Sequence, residues 1–203
     1  MSRKGRDREE MELLDTINRN AKRLKRLTED VLDITRIEGN SLVLYKEKFN
    51  LNDIVLDIIK NYKSSDKKVK NIQFKYNNLN NPVILEADRN RIHQVITNLI
   101  SNSIKFIHKE GCIYIGINKI KKGKSENKEA LVIFDIRDNG IGIDKEIMPK
   151  LFTKFASKSF QGTGLGLYIC KSIIEAHGGK VWAQNNKDEE GATFSFSLPL
   201  QYC

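Results

Sequence analysis

A carboxylate and two near-adjacent glycines, Asp138-Asn139-Gly140-Ile141-Gly142-Ile143, follow the apolar run Leu131-Val132-Ile133-Phe134-Asp135-Ile136. The run reads as a buried strand. The glycines at its end make a turn where backbone passes close to a ligand, since glycine has no Cβ and tolerates positive φ. The same pattern serves as an ordinary strand-to-loop turn, so its chemistry depends on what faces it. Asn98, Asn102 and Lys105, spaced four and three residues apart, project from one face of a helix. Asn amide oxygens suit a hard cation or phosphate-bound water, and a lysine one turn on suits a phosphate. Gly162-Thr163-Gly164-Leu165-Gly166-Leu167 opens another helix at Leu165, where glycines let backbone N–H groups and the positive helix end face an anion. Between the glycine clusters stand Phe152 and Phe155, then the mostly polar run Ala156-Ser157-Lys158-Ser159-Phe160-Gln161. These read either as a hinged cover with an anchored apolar root or as plain core aromatics. The second cluster does not follow a strand opening a βαβ unit and lacks the Lys-Ser/Thr pair of a P-loop, so neither a Rossmann dinucleotide site nor a P-loop is supported.

The elements that must hold these groups are legible in turn. Over residues 9–37 the apolar positions Leu13, Ile17, Leu24, Leu27, Val31 and Ile34 fall at three- and four-residue steps, interrupted by Asn20. So narrow a stripe predicts a bundle or coiled-coil helix whose partner is a second copy of the chain, the alternative being an amphipathic helix folded back onto its own domain. Glu38-Gly39-Asn40 predicts its stop. A strand is expected over 42–49, then a helix over 50–61 capped by Asn50, with Asp53 completing a capping-box-like pattern. Strands over 72–76 and 83–87 precede a long helix, 89–107, whose core face is Ile92, Val95, Ile96, Leu99, Ile100 and Ile104. Strands over 112–120 and 129–137 flank a polar hairpin tip, 121–128. A helix over 165–177 and a last hairpin, 180–184 with 192–198, close the chain. Strands and helices that do not strictly alternate predict a two-layer α/β sandwich with a mixed sheet, plus the N-terminal bundle helix.

Composition narrows the function classes. The 203 residues are 39% hydrophobic and 30% charged, enough for one globular domain and an appendage. The net charge of +9 is spread over lysines that are not interleaved with aromatics, so a solvated surface is expected and not a nucleic-acid groove. No apolar run is long enough to span a membrane and the first ten residues hold no signal-peptide core, which predicts a cytoplasmic location. Cys112, Cys170 and Cys203 are odd in number and lack C-x-x-C spacing, which predicts reduced thiols.

Taken together, Asn98-Leu99-x-x-Asn102-Ser103-x-Lys105-Phe106, Asp138-x-Gly140-x-Gly142, Phe152-x-x-Phe155 and Gly162-Thr163-Gly164-Leu165-Gly166-Leu167 resemble the N, first-glycine, F and second-glycine boxes of sensor histidine kinases in the GHKL ATPase superfamily. The likeness runs from about residue 13 to 198. Leu32-Asp33-Ile34-Thr35-Arg36-Ile37-Glu38 resembles the end of that family's second dimerisation helix, which implies an incomplete dimerisation segment over 1–38 and a catalytic ATP-binding domain over 39–203. The resemblance implies a Bergerat-type fold, ATP and Mg²⁺ as cofactors, and a homodimer formed through the N-terminal helix. Asp138 would accept a hydrogen bond from the adenine amine, where guanine presents a carbonyl. Gly140, Gly142 and Ile143 would pass the base and sugar. Asn102 would hold Mg²⁺ through the phosphates, with Asn98 and Lys105 on phosphate or its water shell. Phe152, Phe155, Gly162, Thr163, Gly164, Leu165 and Gly166 would form the cover and phosphate loop.

One departure stands out. The family's phosphoacceptor histidine sits on a first dimerisation helix, and none of His93, His108 and His177 has that context. The expectation is a chain that binds Mg-ATP and passes phosphate to an acceptor helix in trans or missing here, with a response regulator downstream; the alternative is a non-catalytic nucleotide-binding dimerisation module that regulates a partner. The long N-terminal helix disfavours an anti-sigma serine kinase, and a gyrase-type clamp ATPase needs a further domain. Asp138→Ala is expected to abolish adenine recognition at little cost to the fold.

Overall fold

The computed structural model describes residues 3–65, 71–76, 82–107, 110–122, 129–156 and 163–200. Gly162, His108, Cys203, the hairpin tip at 123–128 and cover residues 157–161 therefore lie outside the described residues. The chain forms two compact units, Met1–Leu42 and Val43–Cys203.

The first unit is α1, Arg3–Glu38, a 36-residue helix that begins six residues before the apolar stripe suggests. Polar and charged residues continue a helix as well as apolar ones do, so hydrophobic periodicity finds only its seam. Thr16, Thr28 and Thr35 satisfy their hydroxyls on carbonyls one turn back, at Glu12, Leu24 and Leu32. The helix ends as Gly39-Asn40 predicts: Asn40 takes φ 47° and the Ser41 N–H returns to the Arg36 carbonyl at 2.8 Å. Leu13, Ile17, Leu24, Leu27 and Val31 are all exposed.

The second unit holds β1 (Glu47–Asn50), α2 (Leu51–Ser65), β2 (Ile72–Tyr76), β3 (Ile84–Ala87), α3 (Arg89–Phe106), β4 (Gly111–Lys122), β5 (Glu129–Asp138), a 3-10 turn Met148–Lys150, α4 (Gly166–Ala176), β6 (Lys180–Asn185) and β7 (Ala192–Leu200). Five strands make one sheet in the order β2-β4-β5-β7-β6, and β1 pairs with β3 in a separate ribbon. Among the described residues only the β2–β4 pairing is parallel, so the sheet is mixed.

Helices cover one face. Val132, Phe134 and Ile136 of β5 are buried while Leu131, Ile133 and Asp135 between them are only half-buried, which is the alternation of a sheet with one packed side. The sequence run looked uniformly buried because β-branched and aliphatic residues also occupy the open face. Phe134 stacks on Phe196 of β7 at 4.9 Å between ring centroids, at the centre of the core.

Three expectations shift. The strand expected over 42–49 is only Glu47–Asn50, because β3 offers just four partners, from Ala87 opposite Glu47 to Ile84 opposite Asn50. Beyond Ala87 the chain turns into α3, and the Tyr45 N–H bonds to the Asp88 carboxylate at 3.0 Å in place of a ladder. Asn50 does open α2, but its amide donates to Asp53 and its oxygen accepts from the Asn52 and Val83 N–H groups, so the cap also joins the two-stranded ribbon. On α3 Ile92, Val95, Ile96, Leu99 and Ile100 are buried as expected, Ser103 joins them, and Ile104 is only half-buried. Ser103 stands four residues past Leu99 and eleven past Ile92, on the helical repeat, and escapes a hydrophobic reading only because it is polar.

Candidate functional site

The C-terminus of β5 delivers Asp138 into the core side of the sheet, where it is 3% exposed. Burying a carboxylate is costly unless donors surround it, and here they do. Its Oδ1 accepts from the Gly140 N–H at 3.0 Å and from the Ala192 N–H of β7 at 3.3 Å. Its Oδ2 accepts from the Ser103 hydroxyl of α3 at 2.9 Å, and from no other donor among the described residues. Burial pushes the Asp138 carboxyl above its ordinary value, while the donors from Gly140, Ser103 and Ala192 pull the other way. Asp138 is thus a tie between α3, β7 and its own turn, so its truncation is expected to cost the fold more than the sequence alone suggests.

The turn after Asp138 is pressed on the end of α3. A Cβ on Gly140 would stand 2.6 Å from the Phe106 carbonyl, and that carbonyl accepts the Ile141 N–H at 3.2 Å. Gly142 takes φ +75°, the left-handed conformation that favours glycine. Ile143 is then held by Asn185, which accepts its N–H at 2.6 Å and donates to its carbonyl at 2.9 Å. Asn186 donates to the Asp138 carbonyl at 2.8 Å, and Gly191, at φ +115°, leaves that same carbonyl no room for a side chain. The sequence reading passed over Asn185, Asn186 and Gly191. The available signal was two adjacent asparagines and a glycine in one polar hairpin turn, which asparagine and glycine favour for local reasons anyway.

Two bonds fix how α3 and α4 lie together. The Asp88 N–H donates to Nε2 of His177 at 3.0 Å, and the Cys170 thiol points to the Val95 carbonyl at 3.8 Å. Each step forward on α3 thus matches a step back on α4, so the helices are antiparallel and the start of α4 comes level with Leu99 and the Asn98–Asn102 turn. Asn98 is buried, whereas Asn102 and Lys105 are half-exposed, and the Lys105 ammonium sits 5.0 Å over the Phe106 ring.

At the start of α4, Leu165 is buried and its N–H bonds to the Thr163 hydroxyl at 3.2 Å, and among the described residues no side chain caps the helix. First-turn N–H groups at such a helix start can face an anion. Gly164 takes φ +69° with its Cα against the Phe155 backbone, where a Cβ would come within 2.7 Å. Phe152 is half-buried, but Phe155 is 71% exposed at φ 60°, so it is neither a core aromatic nor an anchored root. The tight Gly164 contact uses Phe155's backbone, which leaves its ring outside.

Among the described residues no cluster of three His, Cys, Asp or Glu could hold a metal by itself, and no helix is long and apolar enough to cross a membrane. A neutral Asn oxygen together with ligand phosphates and water is a donor set that Mg²⁺ accepts, so the half-exposed Asn102 fits a phosphate-bridged magnesium ion. Cys112 and Cys170 are free thiols.

The family model described as histidine kinase-, DNA gyrase B- and HSP90-like ATPase matches residues 87–202. Sensor protein KdpD of Clostridium acetobutylicum is 34% identical over 201 residues, covering 96% of this chain and 21% of its own length. Among solved structures, the catalytic domain of histidine kinase ThkA is 34% identical with a TM-score of 0.65, covering 76% of this chain and 95% of that one. ThkA in complex with response regulator protein TrrA is 31% identical with a TM-score of 0.68, covering 93% of this chain and 52% of that one. The chain thus spans about a quarter of the length of the curated relatives that it matches, 21%, 23% and 27% for three of them. With the mixed sheet, the buried Asp138 and the two glycine turns in place, the chain belongs to the histidine kinase-, DNA gyrase B- and HSP90-like ATPase family, as a catalytic ATP-binding domain of the sensor histidine kinase kind.

Proposed function

We propose that this chain loads Mg-ATP as the phosphoryl donor for phosphorylation of a histidine carried on an acceptor helix outside its own three histidines. The observation that carries the reading is the Asp138 carboxylate, with Oδ1 taken by two backbone amides and Oδ2 holding one hydroxyl donor. Oδ2 keeps an acceptor position for the exocyclic amine of adenine, where guanine would bring a second acceptor. Gly140, Gly142 and Ile143 flank the base and sugar. Asn98 and Lys105 contact phosphate or its water, and Asn102 holds Mg²⁺, which when bound neutralises phosphate charge. The first turn of α4, with Thr163, Gly164, Leu165 and Gly166, faces the phosphates. Gly162, Phe152 and Phe155 belong to the cover. Such a site acts by positioning and charge neutralisation, since phosphoryl transfer asks little covalent chemistry of the protein.

His177 is no acceptor, because both ring nitrogens are engaged inside the fold. The partners in this reading are a second copy, joined through the exposed apolar seam of α1, an acceptor helix, and a response regulator that takes the phosphate onward; the setting is the cytoplasm. Calorimetry with ATP and GTP, then labelled ATP with a separately expressed acceptor-helix domain, tests it. ATP binding without GTP binding, and acid-labile label on the acceptor domain, are expected. No ATP binding overturns the reading, and binding without transfer leaves a non-catalytic nucleotide module.

A further inference from the structure

We infer that Ser103 is a positioning residue for base recognition, its buried hydroxyl aiming the remaining lone pair of the Asp138 oxygen that the backbone amides leave for the adenine amine. The inference rests on the ATP reading above for its ligand and on this chain's own contacts for its geometry. Ser103 is 1% exposed and in line with Ile92, Ile96 and Leu99, so α3 cannot turn it elsewhere without exposing the core. Its backbone carbonyl accepts the Ile107 N–H at 3.1 Å, which closes the last turn of α3 beside the Phe106 carbonyl that holds Ile141. One residue is therefore fixed to the helix end, to the glycine turn and to the carboxylate.

The consequence follows from counting donors. A carboxylate with equal donors on both oxygens could present either. Here two amides converge on Oδ1 and leave Oδ2 as the oxygen with spare lone-pair capacity. Those amides are backbone groups that every side chain shares; the Ser103 hydroxyl is the contribution that depends on residue type. In donating to Oδ2 the hydroxyl sets the direction of its remaining lone pair and favours the ionised form, which accepts more strongly than a carboxylic acid. The hydroxyl is also committed: with its proton on Oδ2 it has none to offer a guanine carbonyl. The groups facing Asp138 are Ser103 of α3, Gly140 of the turn and Ala192 of β7, and none is charged.

The test has two readouts on Ser103→Ala, a change that suits a helix interior and removes a single oxygen. The carboxyl carbon of Asp138 is titrated by NMR without nucleotide, and ATP affinity is measured by calorimetry at neutral pH. Ser103→Ala is expected to move the Asp138 midpoint upward and to weaken ATP about tenfold, the scale of one hydrogen bond to a charged group. Ser103→Cys, which keeps a weak donor of similar size, is expected between Ala and wild type in both. Either change without the other overturns the proposal, as does no change in both. Wild type that fails to bind ATP overturns the ATP reading by itself, while the nucleotide-free titration still reports on the hydroxyl–carboxylate bond.

Discussion

Asp88 and His177, 89 residues apart, share a hydrogen bond in which the Asp88 N–H donates to the imidazole Nε2. A backbone amide can only donate, so Nε2 is unprotonated and the ring proton is on Nδ1, which donates to the Ile173 carbonyl at 2.8 Å. Asp88 in turn caps α3 through the Arg91 N–H at 3.0 Å and holds the Tyr45 N–H with its other oxygen. A neutral buried histidine therefore joins the cap of one pocket helix to the C-terminus of the other.

Stability should fall as pH drops below about 6.5. Burial holds His177 below its ordinary value of 6.5, with Lys46 adding to that and the Ile173 bond and Asp88 opposing it. Its folded pKa is depressed, so the unfolded chain binds the proton first and the stabilisation present above 6.5 is lost on acidification. His93, also lowered by burial, acts in the same sense. Urea unfolding between pH 5 and 8 should show the slope, and His177→Phe should flatten it while costing about 1–3 kcal/mol at pH 7.5 through the unpaired Asp88 amide.

Asp138→Asn and Asp138→Ala should separate recognition from folding. The Asn oxygen can still accept from Gly140 and Ala192, and its amide can donate to Ser103, so the fold should survive. That amide also faces the adenine amine donor to donor, so ATP binding should disappear in calorimetry. Alanine leaves two buried amides without acceptors and should lower stability by about 2–5 kcal/mol in urea titration.

Gly140→Ala should damage the pocket from the backbone side. The added methyl meets the Phe106 carbonyl at 2.6 Å and must displace the turn, breaking the Ile141 bond. A loss of about 1–3 kcal/mol is expected for such overpacking, with at least tenfold weaker ATP binding. Unchanged affinity would show that the turn does not approach the base.

Asn185→Ala should loosen Ile143 with little effect elsewhere. Two hydrogen bonds at a partly exposed site are lost, so the stability cost should be about 1–2 kcal/mol. Hydrogen exchange should rise in residues 141–144 before it rises in β5, and ATP affinity should fall several-fold.

Leu24→Glu should abolish self-association without unfolding the chain. Leu24 is 65% exposed on α1, so a charge there costs the monomer little but cannot enter an apolar seam. Sedimentation should show a dimer in wild type and a monomer in the variant.

Local chemistry made much of this legible in the sequence. The core line of α3, the Asn50 cap, the Gly39-Asn40 stop and the antiparallel β4–β5 hairpin all arise from contacts within a few residues or from a simple repeat. Ser103 was missed because a polar residue on the buried line carries no hydropathic mark. Phe155 was misjudged because its exposure follows from a positive φ and from Gly164 packing on its backbone, neither of which is written in residue type.

The sequence by itself pointed to the ATP-binding family, since glycines, amides and a carboxylate at those spacings have few other uses in combination, and it named the residues proposed to meet a nucleotide. Only the tertiary structure decided which oxygen of Asp138 stays available, that Asn185 holds Ile143, and that Asp88 and His177 lock α3 against α4. Those bonds join residues 35, 42 and 89 positions apart. A hydrogen bond needs its partners within about 3 Å and in line. Over such separations that geometry comes from how sheet and helices pack, and no local pattern encodes it.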